Sequence, residues 1–190
     1  MLFLITGGSG SGKSEYAEEL VCRIAKQSAA EGKRYVATME NRGSEAQERI
    51  MRHRAMRAGK GFMTIEAPCG FLTGEPDSQC RMEAACSGAV VLLECVSNLL
   101  ANLMFLAQMS ESEAADEIIR QISNMRRHCR HLVVVTNEVF SDGASYTGEM
   151  LQYMRALGNV NRALAACSDS CCEVVYSIPV FLKGEALCPC

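Results

Sequence analysis

The chain has 190 residues, 48% hydrophobic and 22% charged, which fits about one globular domain with a sizeable core and excludes a disulfide-stapled miniprotein or a disordered chain. Its 19 Lys and Arg against 22 Asp and Glu give a formal charge of −3. Nucleic acid is therefore not an expected partner, any basic patch is local and points to a small anionic ligand, and no apolar run reaches the roughly 18 residues of a membrane span.

In chain order, residues 2–6 read as a first strand, nearly continuous in apolar side chains. A glycine cluster follows, then a helix over 13–29 that lines up Tyr16, Leu20, Val21 and Ile24 on one face. A strand over 34–38 precedes a helix over 44–57, whose opening Ser44-Glu45-Ala46-Gln47 has the spacing of a capping box. Residues 68–87, with Gly70, Gly74, Pro76, Asp77 and Ser78, read as a surface loop. Next come a strand over 89–94 and a helix over 110–127, opened by the same cap pattern, Ser110 and Glu113. A strand over 132–136, a long helix over 147–167 that breaks or bends near Gly158, and a strand over 173–178 complete the pattern. This alternation implies one α/β domain over 1–184, a largely parallel sheet with helices on both faces, and a Cys-rich tail over 185–190.

The strongest local pattern is Gly7-Gly8-Ser9-Gly10-Ser11-Gly12-Lys13-Ser14, a complete G-x-x-x-x-G-K-[ST] between a strand and a helix. Glycines let successive backbone N–H groups turn toward phosphates, and the helix N-terminus adds its positive end. Lys13 then supplies a cation for the β- and γ-phosphates, and the Ser14 hydroxyl can ligate Mg²⁺. Glu94 ends an apolar strand, where a carboxylate can hold the same ion, although an ordinary strand-end acid would look alike. Such a crevice is expected at the C-terminal edge of the sheet.

Of three histidines, His128 and His131 sit in a polar helix end. His53 differs: helical spacing places Arg49, Met56 and Arg57 on its face, with Arg52, Arg54 and Lys60 nearby. In an acidic chain this cluster suits a phosphate group, and a neutral imidazole is a nucleophile toward phosphorus. The residues alone equally describe a solvated amphipathic helix.

Eleven cysteines, an odd count lying mostly in apolar segments behind no signal peptide, suggest reduced thiols and a cytoplasmic location. A metal site could draw only on Cys167, Cys171, Cys172 and the tail thiols Cys188 and Cys190, whose spacing fits no standard zinc pattern.

These motifs in this order resemble the bifunctional adenosylcobinamide kinase/adenosylcobinamide-phosphate guanylyltransferases of cobalamin assembly. The resemblance rests on Ile5-Thr6-Gly7-Gly8 with Gly12-Lys13-Ser14, Tyr35-Val36-Ala37-Thr38, Arg49-Ile50 with His53-Arg54, and Glu66. It continues through Leu92-Leu93-Glu94-Cys95, Asn98-Leu99-Leu100 with Asn102, Val135-Thr136-Asn137-Glu138-Val139 and Gly158-Asn159-Val160-Asn161-Arg162. It implies a P-loop NTPase fold of the RecA type and a homotrimer. It also implies phosphorylation of adenosylcobinamide with GTP or ATP and Mg²⁺, then transfer of GMP from GTP through a GMP–histidine intermediate on the residue matching His53. Nucleotide contacts would fall on Gly7 to Ser14, on Ala37, Thr38 and Met39, on Arg54, Ala55, Met56 and Arg57, and on Glu66 and Glu94. The chain differs from the family pattern at Arg57-Ala58, where Arg-Pro is usual, at Met39, and in the loop over 140–146. Two other readings remain open on sequence: a P-loop kinase of another small alcohol or nucleotide, and a nucleotide-dependent switch. The switch lacks an Asn-Lys-x-Asp guanine-reading motif.

Overall fold

The computed structural model describes residues 1–41, 43–141 and 143–185, with the side chains at 45, 46 and 49 outside that description. Strands and helices alternate as β1 (Leu2–Thr6), α1 (Lys13–Gln27), β2 (Lys33–Ala37), α2 (Ser44–Arg57), β3 (Phe62–Glu66), α3 (Pro76–Cys86) and β4 (Val90–Glu94). Then follow α4 (Val96–Phe105), α5 (Glu111–His128), β5 (His131–Val135), α6 (Gly148–Cys167), β6 (Ser170–Val175) and β7 (Ile178–Lys183). The strands form one seven-stranded sheet in the order β3-β2-β4-β5-β1-β6-β7, parallel except for β7, which runs antiparallel to β6.

The period of two along each strand sorts its side chains into two layers. Leu2, Leu4, Val91, Leu93, Leu132 and Val134 meet Met82 of α3, Leu99 and Leu103 of α4, Ile118 and Ile122 of α5, and Leu157 of α6. Phe3, Ile5, Val90, Leu92, Val133 and Val135 point the other way, onto Ala17, Leu20, Val21 and Ile24 of α1. Strands covered on both faces must be apolar at every position, which is why these segments read as continuous runs. Cys171 and Cys172 follow the same rule and fall in opposite layers, so adjacent thiols serve two separate cores. Burial raises the thiol pKa of both, that of Cys172 to about 12, which favours the protonated form.

Four local expectations are corrected. Residues 68–87 are not all loop: Pro76 starts α3, where its missing N–H costs nothing, and α3 buries Met82, Ala85 and Cys86. The strand expected over 173–178 is β6, three residues earlier, because Tyr176 and Ser177 take positive φ (51° and 63°) and form a two-residue hairpin turn into β7. Helix α2 is capped by Gly43 without a side-chain hydrogen bond, so Ser44 is already helical and makes no capping box. Helix α6 runs unbroken through Gly158, held by the fully buried Leu157 and Val160 on either side. The box at Ser110 and Glu113 forms with both of its hydrogen bonds. Strands β3 and β7 and helix α4 were not anticipated. The expected tail lies, beyond Glu185, outside the described residues.

Candidate active site

A cleft of about 400 Å³, within the usual range of small-molecule sites, opens at the C-terminal ends of β1, β2 and β4. Its floor is the phosphate loop. Gly12 caps α1 with φ 90°, a left-handed conformation, and a Cβ on it would collide with Ser177 of the β6–β7 turn. Glycine is thus required there twice over, by conformation and by space. The same turn braces the loop from outside, since the Ser177 N–H donates to the Ser11 carbonyl at 2.8 Å.

Lys13 lies along this floor, 9% exposed, and donates from Nζ to the Gly8 carbonyl at 2.9 Å. Burial lowers its pKa, while Cys95 and Glu94 nearby oppose that shift. The Ser14 hydroxyl donates to Glu94 Oε1, and the Tyr35 hydroxyl donates to Glu94 Oε2 at 3.2 Å. Burial, then the Glu94 charge, raise the Tyr35 phenol far above its ordinary value, so it stays a donor. Ser14 and Glu94 therefore present two hard oxygen groups side by side, a donor set that suits Mg²⁺. Ser11 Oγ and Arg57 Nη1 also line or border the cleft, buried and without a hydrogen-bond partner among the described residues, as donors reserved for an anionic ligand would be.

The opposite wall is α2. Arg57 is buried, and its guanidinium carbon stands 3.5 Å from the centre of the Tyr35 ring, a stacked cation–π contact. His53 faces into the cleft with Nδ1 at 3.9 Å from Glu94 Oε1. A carboxylate thus stands beside the imidazole. The expected approach of Arg49 to His53 lies outside the described side chains. Lys60 pairs with Glu18 of α1 at 2.7 Å.

Most of the expected nucleotide residues meet in this cleft. Ser9, Gly10, Ser11, Gly12, Lys13 and Ser14 line it from the loop, Ala37 and Met39 from the end of β2, and His53, Arg54, Met56, Arg57, Glu66 and Glu94 from the other walls. Gly7 and Gly8 lie behind the loop and accept hydrogen bonds through their carbonyls. Thr38 is fully buried and bonded to the backbone of Cys95, so its side chain supports the wall rather than facing the cleft. Ala55 is exposed and does not line it. Arg54 and Glu66 pair with each other at 3.1 Å on the exposed rim, a contact of small energetic weight.

Sequence reasoning missed several lining groups as site residues: Glu15, Tyr35, Ile50, Cys95, Asn98 and Asn137, whereas Arg52, expected in the basic cluster around His53, does line the cleft. The motif Tyr35-Val36-Ala37-Thr38 gives Tyr35 no role, and only the pairing of β2 with β4 brings its hydroxyl to Glu94. Glu18 was also missed. It is fully buried on α1, and one ligand atom each from Glu18, His53 and Glu94 lies within 4.8 Å of the other two. Burial raises the Glu18 pKa, against the pull of Lys60.

Comparison with known proteins gives the family and the fold. A family model described as cobinamide kinase / cobinamide phosphate guanyltransferase matches residues 3–182. The chain is 30% identical to the bifunctional adenosylcobalamin biosynthesis protein CobU of Salmonella typhimurium over 96% of its own length and 100% of that protein. The Escherichia coli protein of the same name also matches at 30% identity, with the same coverage. Among solved structures, a KaiC-like protein from Pyrococcus horikoshii superposes with a TM-score of 0.51 at 12% identity, covering 90% of this chain and 69% of that one. At that identity the likeness speaks for the fold alone, a mostly parallel α/β sheet with helices on both faces.

Proposed function

The chain belongs to the cobinamide kinase / cobinamide phosphate guanyltransferase family, and from that premise we propose that it carries out both reactions in one cleft. It would first phosphorylate the aminopropanol hydroxyl of adenosylcobinamide with GTP or ATP. It would then move GMP from GTP onto adenosylcobinamide phosphate, giving adenosylcobinamide-GDP for cobalamin assembly. The observation that carries this reading is the meeting of His53 with the phosphate loop: its Nδ1 is 3.9 Å from Glu94, which itself accepts from Ser14.

In the kinase step the loop backbone from Gly7 to Ser14 cradles the phosphates, and Lys13 balances charge on the transferring group. Ser14 and Glu94 would hold Mg²⁺, which when bound would neutralise phosphate oxygens. In the second step His53 attacks the α-phosphate, pyrophosphate leaves, and the substrate phosphate later displaces the histidine. This divides one displacement into two easier ones. Arg57 and Arg54 face the triphosphate, Ala37 and Met39 border the nucleotide with Thr38 behind them, Met56 and Glu66 close the rim, and Ala55 spaces the helix.

The net charge of −3 argues against nucleic acid as a partner, and the free thiols suit the cytoplasm. No helix among the described residues is long and apolar enough to cross a membrane. A homotrimer, as the family resemblance implies, has a candidate contact in the edge strand β7, which exposes Ile178, Val180 and Leu182.

The test is a two-stage assay with purified protein and adenosylcobinamide, read by mass spectrometry. With ATP alone the phosphate ester forms; after GTP is added, the GDP adduct appears with release of pyrophosphate. A protein that phosphorylates other small alcohols but neither makes nor consumes adenosylcobinamide phosphate contradicts the reading.

A further inference from the structure

Besides Ser11 Oγ and Arg57 Nη1, two more buried polar atoms beside the cleft lack a hydrogen-bond partner among the described residues: Glu18 Oε1 and His53 Nδ1. Each such atom is costly alone, on the order of 1–3 kcal/mol and more for a charged group. They come from elements far apart in sequence, α1 and α2, yet Glu18 and His53 offer ligand atoms within 4.8 Å of each other. Glu18 is fully buried, and its other oxygen is held by Lys60 at 2.7 Å, on the turn that follows α2. The ion pair thus ties the end of the His53 helix to the helix that starts at the phosphate loop.

Glu94 is the other carboxylate near the ring, but both of its oxygens already accept, one from Ser14 and one from Tyr35. Of the two, only Glu18 has a carboxylate oxygen, Oε1, that accepts from no donor among the described residues. We propose that Glu18 is a positioning residue for the guanylyl transfer: it takes the Nδ1–H hydrogen bond of His53, fixes that tautomer, and leaves Nε2 as the nucleophilic nitrogen.

This rests on the reading of His53 as the guanylylated residue. In the step, the Nε2 lone pair forms the bond to the α-phosphorus. The bond from that phosphorus to the bridging oxygen breaks, and pyrophosphate leaves with the electron pair. The proton stays on Nδ1, so the ring gains one positive charge, which the Glu18 carboxylate faces. A carboxylate in this place supplies orientation and charge balance, as in other imidazole-centred sites.

The direct test is ¹⁵N spectroscopy of the imidazole, assigned with His53→Ala, on nucleotide-free protein at a pH well above the ordinary imidazole range. The wild type should show a protonated Nδ1 and an unprotonated Nε2, and Glu18→Gln should move His53 away from that single tautomer. In parallel, single-turnover labelling by GTP carrying label at the α-phosphate should slow in Glu18→Gln on the order of a hundredfold at saturating GTP. Half-saturating GTP and the kinase rate should each change less than about twofold, the split expected when the loss lies in orienting the nucleophile rather than in binding. Glu18→Asp, which keeps the charge and the pull on Lys60 but withdraws the oxygen, should show the same tautomer change.

A wild-type His53 protonated on Nε2 overturns the proposal. So does a tautomer that responds to Glu94→Gln but not to Glu18→Gln, and so does equal loss of labelling and kinase activity in Glu18→Gln. If wild-type protein takes no label, the reading of His53 as nucleophile fails instead, while the spectra still report on Glu18.

Discussion

His53 Nδ1 stands 3.9 Å from Glu94 Oε1, so the imidazole of α2 and the strand-end acid of β4 face the same space above the phosphate loop. Glu94 is tied to Ser14 of that loop, which makes a short chain of contacts from the phosphate cradle to the histidine. Two chemistries, phosphoryl transfer and nucleotidyl transfer, can then share one bound triphosphate.

Lys13→Ala should disable both reactions, because each needs the triphosphate held by the loop. The loss of one oriented charge at a transferring phosphoryl group costs on the order of 3 kcal/mol, about a hundredfold in rate. Steady-state rates of both steps measure it. Retention of half the activity in either step would remove Lys13 from the mechanism.

Glu94→Gln keeps the size and one of the two oxygens that accept from Ser14 and Tyr35 but loses the charge that draws a divalent cation. The Mg²⁺ concentration for half-maximal kinase activity should rise on the order of tenfold, the usual scale for weakened metal support, while the melting temperature changes little. A collapse in melting temperature with an unaltered Mg²⁺ requirement would make Glu94 a structural acid.

Stability has its own sensitive point in Glu117, a buried carboxylate of α5 that accepts from the Thr73 N–H and hydroxyl, from Gln121 and from Arg120. Burial alone would raise its pKa, but the Thr73, Gln121 and Arg120 bonds prevail and hold it below the ordinary glutamate value. A depressed carboxylate stabilises the fold above its unfolded value and loses that contribution as pH falls through its folded value. Glu117→Ala should cost about 2 kcal/mol at neutral pH, lowering the melting temperature by roughly 5 °C. The gap between variant and wild type should narrow below about pH 4.5. A gap that widens on acidification contradicts this role.

The phosphate loop was legible because eight consecutive residues carry its geometry, and the strands beside it because burial on both faces demands an unbroken apolar run. Strand β3 hid because it is an edge, with Met63, Thr64 and Glu66 exposed and little apolar signal. Helix α3 hid because Pro76, Asp77 and Ser78 suit a turn as well as a helix entry. At the site, His53 stood out by its arginines, whereas Glu18 looked like any acid on an amphipathic helix. Its burial exists only once the turn after α2 sets Lys60 against α1. Tyr35 and Arg57 stack only because β2 lies next to α2 in space. Such pairings come from topology, and no short window of sequence contains them.

The central claim is that His53 is the nucleophile of the guanylyl transfer and is dispensable for phosphorylation. The most direct measurement is incubation of wild type and His53→Ala with GTP labelled at the α-phosphate, followed by denaturation and counting of protein-bound label. The account predicts acid-labile, base-stable label on the wild type and none on His53→Ala, which should still phosphorylate adenosylcobinamide at a reduced but measurable rate. Label that persists on His53→Ala, or a folded His53→Ala that has lost both activities, would contradict it.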